Sequence, residues 1–288
     1  MLHLTVNCRA AILLFVFGVF ASAASSTCLG NRDSEKIVTI AVVPQLPRSV
    51  TYTKWAPLLE HVGQRTNLCF DLIIPETIPA FEKFLFNGQP DLAFANPYHA
   101  VVAKKRQGYV PLLMDSTTKL SGIVTVKADS PIHDIRQLQG KDVAFPSPNA
   151  FAASLLIRAE LASKGIQIHP QYAKTHANSY RAVALGDVAA AGGVNITWQQ
   201  EDAALRANLR ILFETSSYAP HPLIAHPRVT PALRQSVVTT LMSMSSTQAE
   251  QKLLDGVQIS HPTQANYQRD FAPLDKLNLQ KFAVFDEN

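Results

Sequence analysis

Few spacings in this 288-residue sequence are arranged to do chemistry of their own. The nearest to a metal-ligand pair is His221 and His226, five positions apart. On a strand, an odd separation sends two rings to opposite faces, and each histidine is followed by proline, so no metal centre is expected there. No G-x-S-x-G elbow, H-E-x-x-H pair, dinucleotide fingerprint, P-loop or calcium loop occurs. A Ser-His-Asp triad has no fixed chain order, but no serine is singled out for one. Asn195-Ile196-Thr197 matches a glycosylation sequon, a pattern short enough to arise by chance. What remains are side chains that can bind and a cysteine pair that can brace. Neither an enzyme nor a cofactor is expected.

Composition narrows the class. Apolar residues make up 47% and charged residues 17%, which excludes a disordered or collagen-like chain. A net charge of +4, evenly spread, does not argue for a nucleic-acid partner. Part of the apolar excess is local. Arg9 is followed by the unbroken run Ala10–Phe20 and then Ala21-Ser22-Ala23, the pattern of a secretory signal peptide cleaved near Ala23. A run of this length is too short to span a bilayer, which needs roughly 20 residues. Ser25-Ser26-Thr27 lack the aliphatic residue that would mark Cys28 as a lipid-acceptor cysteine. Loss of residues 1–23 removes Cys8 and Arg9, taking the net charge to +3 and leaving Cys28 and Cys69. In an oxidising compartment two such cysteines are expected to pair, two free thiols being the alternative. The exported protein is expected in the periplasm.

The elements that must position any site alternate between strand and helix. Lys36–Val43, Phe70–Ile74, Asp91–Ala95 and Val110–Met114 read as strands. Thr53–Arg65, Ile78–Phe86 and Tyr98–Lys105 read as the intervening helices, with Trp55, Leu58, Leu59 and Val62 at helical spacing. Such alternation implies a mainly parallel sheet with helices on both faces. A second set follows: strands at Ile123–Lys127, Asp142–Phe145, Ala189–Gly192 and Leu209–Phe213, helices at Ala150–Lys164, Ser179–Leu185 and Asn195–Leu205. Pro222–Ala225 starts a return, and helices at Pro231–Met244 and Thr247–Leu254 end the pattern. Crossings near 116–122 and 214–222 predict two α/β lobes, 37–117 plus 219–288 and 118–218. Two crossing strands form a hinge and a cleft that can close on a ligand.

Five stretches in this order resemble the periplasmic phosphate, phosphite and phosphonate-binding proteins of ABC transporters. They are IAVVPQLPRSVTYTKWAPLLEHVGQRT, DLAFANPYHAV, DSPIHDIRQLQGKDVAF, KTHANSYRAVALGDVAAAGGV and PHPLIAHP, and they cover about Ile37 to Leu254. The resemblance implies the type II periplasmic binding protein fold, with two lobes, two crossovers and an anion site between them. It places Tyr52, before the Trp-x-Pro-Leu helix, Tyr98, after the D-x-A strand, and His176 at that site. Phenol hydroxyls and an imidazole can all donate to an oxyanion.

The sequence also departs from that pattern. Where the family carries a Ser-Thr-Ser-Gly-like run at a helix start, this chain has Pro148-Asn149-Ala150-Phe151-Ala152-Ala153. Backbone amides and the helix dipole remain to hold an anion, with Asn149 as a side-chain donor, Ala150 in the turn, and Phe151 turned to a ligand or to the core. His221 stands between the prolines where aminoalkylphosphonate binders carry Asp, so no such ligand is expected. Ala189–Gly193 replaces a more polar run; Asn195 and Thr197 are the nearby donors, and bare Gly192-Gly193 would admit a ligand close to the backbone. The reading is a monomeric solute-binding protein that takes a small anionic ligand and hands it to an ABC permease. A sensory or scaffold protein signalling to a membrane sensor is the alternative.

Overall fold

A computed structural model describes residues 28–285. The export segment and its cleavage point lie outside the described residues. The chain opens with β1 (Leu29–Gly30), β2 (Ile37–Val42), α1 (Arg48–Thr66), β3 (Cys69–Ile73), α2 (Ile78–Phe86), β4 (Leu92–Phe94), α3 (Pro97–Gln107) and β5 (Val110–Asp115). It continues with β6 (Gly122–Lys127), β7 (Asp142–Phe145), a widened helical turn at Phe151–Leu156 running into α4 (Ile157–Ser163), β8 (His169–Tyr172) and α5 (His176–Leu185). Then come β9 (Ala190–Val194), α6 (Asn195–Gln200), α7 (Ala203–Ala207) and β10 (Leu209–Glu214). β11 (Leu223–Ala225), α8 (Pro231–Ser243), α9 (Gln248–Gly256) and β12 (Pro262–Gln264) precede several short helical turns.

Two sheets result, in the orders β1-β3-β2-β4-β11-β5-β12 and β10-β6-β9-β7-β8. The α/β two-sheet architecture matches expectation, and four strands of each sheet run one way, with opposed strands set among them. In the first, β2, β3, β4 and β5 run one way, while β11 lies antiparallel between β4 and β5. In the second, β6 lies antiparallel between β9 and β10. The cause is the crossing itself: a strand that enters one sheet from the other arrives opposed to the strands that end in helices. The two crossings meet where Leu120 and Tyr218 exchange backbone hydrogen bonds of 3.0 and 2.9 Å.

Other differences have local causes. β8, His-Pro-Gln-Tyr, is exposed along its whole length at the sheet edge, so no apolar alternation marks it. The single helix expected over Asn195–Leu205 is two, because Asp202 caps a new start by accepting from the amides of Ala204 and Leu205. Cys28 and Cys69 are bonded, with Cα atoms 5.4 Å apart, pinning β1 to the start of β3.

Candidate functional site in the seam between the sheets

Helix starts at the ends of strands carry the polar groups of interest. Asn96 caps α3, its Oδ1 accepting from the His99 amide at 2.7 Å, and Pro97 pre-sets the first turn. Thr175 caps α5 in the same way and leaves His176 as its first helical residue. The widened turn after β7 has no side-chain cap; its ladder begins with the Ser154 and Leu155 amides on the Ala150 carbonyl. The amides of Phe151, Ala152 and Ala153 precede that ladder and have no partner within the helix.

A buried polar cluster links these starts. Glu82, from the inner face of α2, receives His99 Nε2 on one oxygen and Asn149 Nδ2 on the other, both at 2.9 Å. Asn96 Nδ2 reaches His99 Nε2 at 3.2 Å and the Asn149 carbonyl at 3.4 Å, joining the two sheets' loops. His221 lies stacked on Phe94, with ring centroids 5.5 Å apart. Burial, then the neighbouring His99 and His176, hold the His221 imidazole down to about 3. Burial alone holds His176 down to about 4. Both rings are neutral at pH 7. Three buried polar atoms of this region, His99 Nδ1, Ser147 Oγ and His176 Nδ1, have no hydrogen-bond partner among the described residues.

Of the expected site residues, the structure gathers Asn149, His176 and His221, with Ala150 in the turn beside Asn149. Asn149 is not a free donor, since its amide also pairs with the Val284 backbone. Phe151 is 3% exposed and lies edge-on to Tyr218, with centroids 6.1 Å apart, packed within the core cluster. Tyr98 is likewise buried, where burial and then the Asp275 carboxylate raise its phenol. Tyr52 is 50% exposed on α1. Asn195 binds the Lys119 carbonyl and the Ser121 amide, fastening α6 to the crossing segment, and Thr197 donates to Val194.

The glycine pair also serves packing. A Cβ on Gly192 would lie 2.2 Å from the Ala153 carbonyl, and one on Gly193 would lie 1.8 Å from the Tyr180 hydroxyl. The close approach is to the protein itself. Glu82, Asn96, His99 and Ser147 were not singled out from sequence. Glu82 had a signal: with Ile78, Phe81, Leu85 and Phe86 it falls on the apolar stripe of α2, an expensive place for a lone carboxylate.

Comparisons with known proteins agree with this architecture. The model of a family described as the periplasmic substrate-binding protein of phosphonate ABC transporters matches residues 40–271. No curated protein matches the sequence. Among solved structures, a Prochlorococcus marinus protein in complex with methylphosphonate superposes with a TM-score of 0.77 at 12% identity, over 86% of this chain and 99% of that one. A Xanthomonas citri protein bound to ATP gives 0.75 at 17% identity, over 86% and 100%. The periplasmic aliphatic sulphonate-binding protein of Escherichia coli gives 0.60 at 18% identity, over 86% and 92%. At these identities the structures speak to fold, and all share the two-lobed architecture. With the family model spanning most of its length, the chain belongs to the periplasmic substrate-binding proteins of phosphonate ABC transporters.

Proposed function

We propose that the protein captures a small oxyanion in the seam between its lobes, 37–117 plus 219–288 and 118–218, and presents the closed form to an ABC permease. Export with cleavage near Ala23 would deliver it to the periplasm. The observation that carries this reading is the set of unpartnered buried atoms at helix starts on both sides: His99 Nδ1 on one, Ser147 Oγ and His176 Nδ1 on the other. Each unsatisfied group costs about 1–3 kcal/mol, which a ligand that pairs with it recovers. The free amides of the turn at Phe151 point to an anion as that ligand.

The donors are the His176 imidazole, the Ser147 hydroxyl and backbone amides, while His99, whose Nε2 faces Glu82, offers Nδ1 to a protonated ligand oxygen. Such a set suits a small oxyanion held by hydrogen bonds, in keeping with the methylphosphonate and sulphonate bound by proteins of this fold. Glu82, the carboxylate of this cluster, already has both oxygens hydrogen-bonded within the protein. No catalytic role is assigned.

Thermal-shift titration against phosphate, phosphite, methylphosphonate and a short alkylsulphonate tests the proposal. One or more should raise the melting temperature with concentration, since a ligand binding only the native state stabilises by RT ln(1 + [L]/Kd). His176→Ala should reduce that response at least tenfold in apparent affinity. Silence towards every oxyanion, or an unaltered response in His176→Ala, would reject the assignment.

A further inference from the structure

The residues after the last helical turn cross the seam. The helical turn at Ala272–Leu277 packs on α3 of the first lobe, where Lys105 pairs with Asp275, so the tail departs from that side. Its next contacts are on the other. The Val284 amide donates to Asn149 Oδ1 at 2.8 Å, and Asn149 Nδ2 donates to the Val284 carbonyl at 2.6 Å. Arg158 Nη2 donates to the carbonyls of Phe282, at 2.7 Å, and Pro148, at 2.5 Å. Its guanidinium also lies 5.8 Å from the centre of the Phe282 ring. Asn149 and Arg158 both follow β7 of the second sheet. Phe285 then returns to the first lobe. Its ring stands edge-on to Phe86 at 5.4 Å, and the Arg106 guanidinium lies 5.2 Å from both rings.

Phe282, Ala283 and Phe285 pack partly buried against the core, but apolar burial does not place Val284. Val284 is 58% exposed, so its place is set by the paired hydrogen bonds to Asn149. Asn149 in turn bonds Glu82, which holds His99, so the docked tail is continuous with the buried cluster. A pocket of about 110 Å³ opens beside it, walled by Glu82, Lys83, Arg106, Pro148, Val284 and Phe285. Its two cations stand at the edge of the seam.

We propose that Phe282–Phe285 is a strap that holds the two lobes closed over the seam and thereby determines how long a bound oxyanion is retained; this rests on the seam being the binding site. Undocking the strap would remove its ties to Asn149 and Arg158, leaving the Asn149 contacts to Glu82 and Asn96 as weaker polar links across the seam. The two bonds to Asn149 and the charge-assisted bond from Arg158 correspond to roughly a hundredfold to ten-thousandfold shift in the closed-to-open ratio.

The test compares the full protein with a chain ending at Lys281 and with Val284→Pro, which removes one donor at an exposed position and leaves the core untouched. Ligand-free proteins are measured by small-angle scattering and by hydrogen exchange over residues 149–158. Methylphosphonate dissociation is measured by stopped flow. Both variants should scatter as more open particles and exchange faster over 149–158, and the truncated chain should release methylphosphonate at least tenfold faster. Identical scattering and exchange in all three proteins overturns the strap, whatever methylphosphonate does. A difference in scattering with no methylphosphonate binding in any protein upholds the strap and counts against the oxyanion reading. Both variants show native circular dichroism if the strap is dispensable for folding; if the truncated chain is unfolded, Val284→Pro alone decides.

Discussion

Lowering the pH from 7 to 5 should destabilise the ligand-free protein by an amount traceable to two imidazoles. His176 is held down to about 4 by burial, and His221 to about 3 by burial and then by His99 and His176. An unfolded histidine titrates near 6.5. Both native values lie below it, so the native state binds fewer protons than the unfolded chain. Stability is then complete well above pH 6.5 and is lost as pH falls through that value towards the native ones. By linkage each histidine costs about 2 kcal/mol between pH 7 and pH 5, and the pair about 4 kcal/mol. That is a large part of the 5–15 kcal/mol typical of native proteins. Asp115 and Asp270 also titrate low, their burial being outweighed by hydrogen bonds, but unfolded carboxylates take up protons mainly near pH 4 and below. The window from pH 7 to pH 5 therefore isolates histidines. Urea unfolding followed by circular dichroism at pH 7, 6 and 5, on the parent and on His176→Asn/His221→Asn, reads the effect. The parent should lose about 4 kcal/mol more than the double variant, whose remaining slope reports His226, also held low by burial and then by Arg228. A parent whose unfolding free energy does not change, or a double variant as acid-sensitive as the parent, would refute the reasoning.

Three further outcomes follow from the packing. Replacing Cys28 and Cys69 by serine opens a loop with a sequence separation of 41; chain entropy puts the loss at about 4 kcal/mol, read as a lower urea midpoint. Gly193→Ala drives a methyl into the Tyr180 hydroxyl; it should cost about 1–3 kcal/mol in the same assay, and Tyr180→Phe in the same chain should recover part of it. Tyr52→Phe removes a hydroxyl from a residue that is 50% exposed. Oxyanion affinity measured calorimetrically should stay within about twofold, because a solvated hydroxyl exchanges one water partner for another; a tenfold loss would bring Tyr52 back into the site.

Much of the frame was legible because it is written in local periodicity. The strands around Ile40, Leu72 and Ala93 and the helices α1 and α2 carry apolar spacing strong enough to be read directly. The bonded cysteines followed from their number and expected compartment. β8 escaped because an exposed edge strand has no buried face to impose alternation. Strand direction escaped too, since periodicity carries no sign: nothing in Leu223–Ala225 says that it inserts antiparallel between β4 and β5.

The site divides in the same way. Residues Asn149, His176 and His221 could be named from the chain alone, and so could the loss of hydroxyls around Asn149. What each does depends on partners far away in sequence. Asn149 meets Glu82 and Val284, separated from it by 67 and 135 positions, and those contacts turn an expected ligand donor into a tie between lobes. Gly192 and Gly193 were read as places where a ligand could approach the backbone, and the tertiary structure fills that space with Ala153 and Tyr180. The sequence by itself determined most of the elements, because these depend on neighbours within a few residues, and the disulfide pair, because only two cysteines follow the export segment. Burial, protonation and hydrogen-bond partnership at the seam were decided by the fold, because they are properties of which distant groups exclude water together.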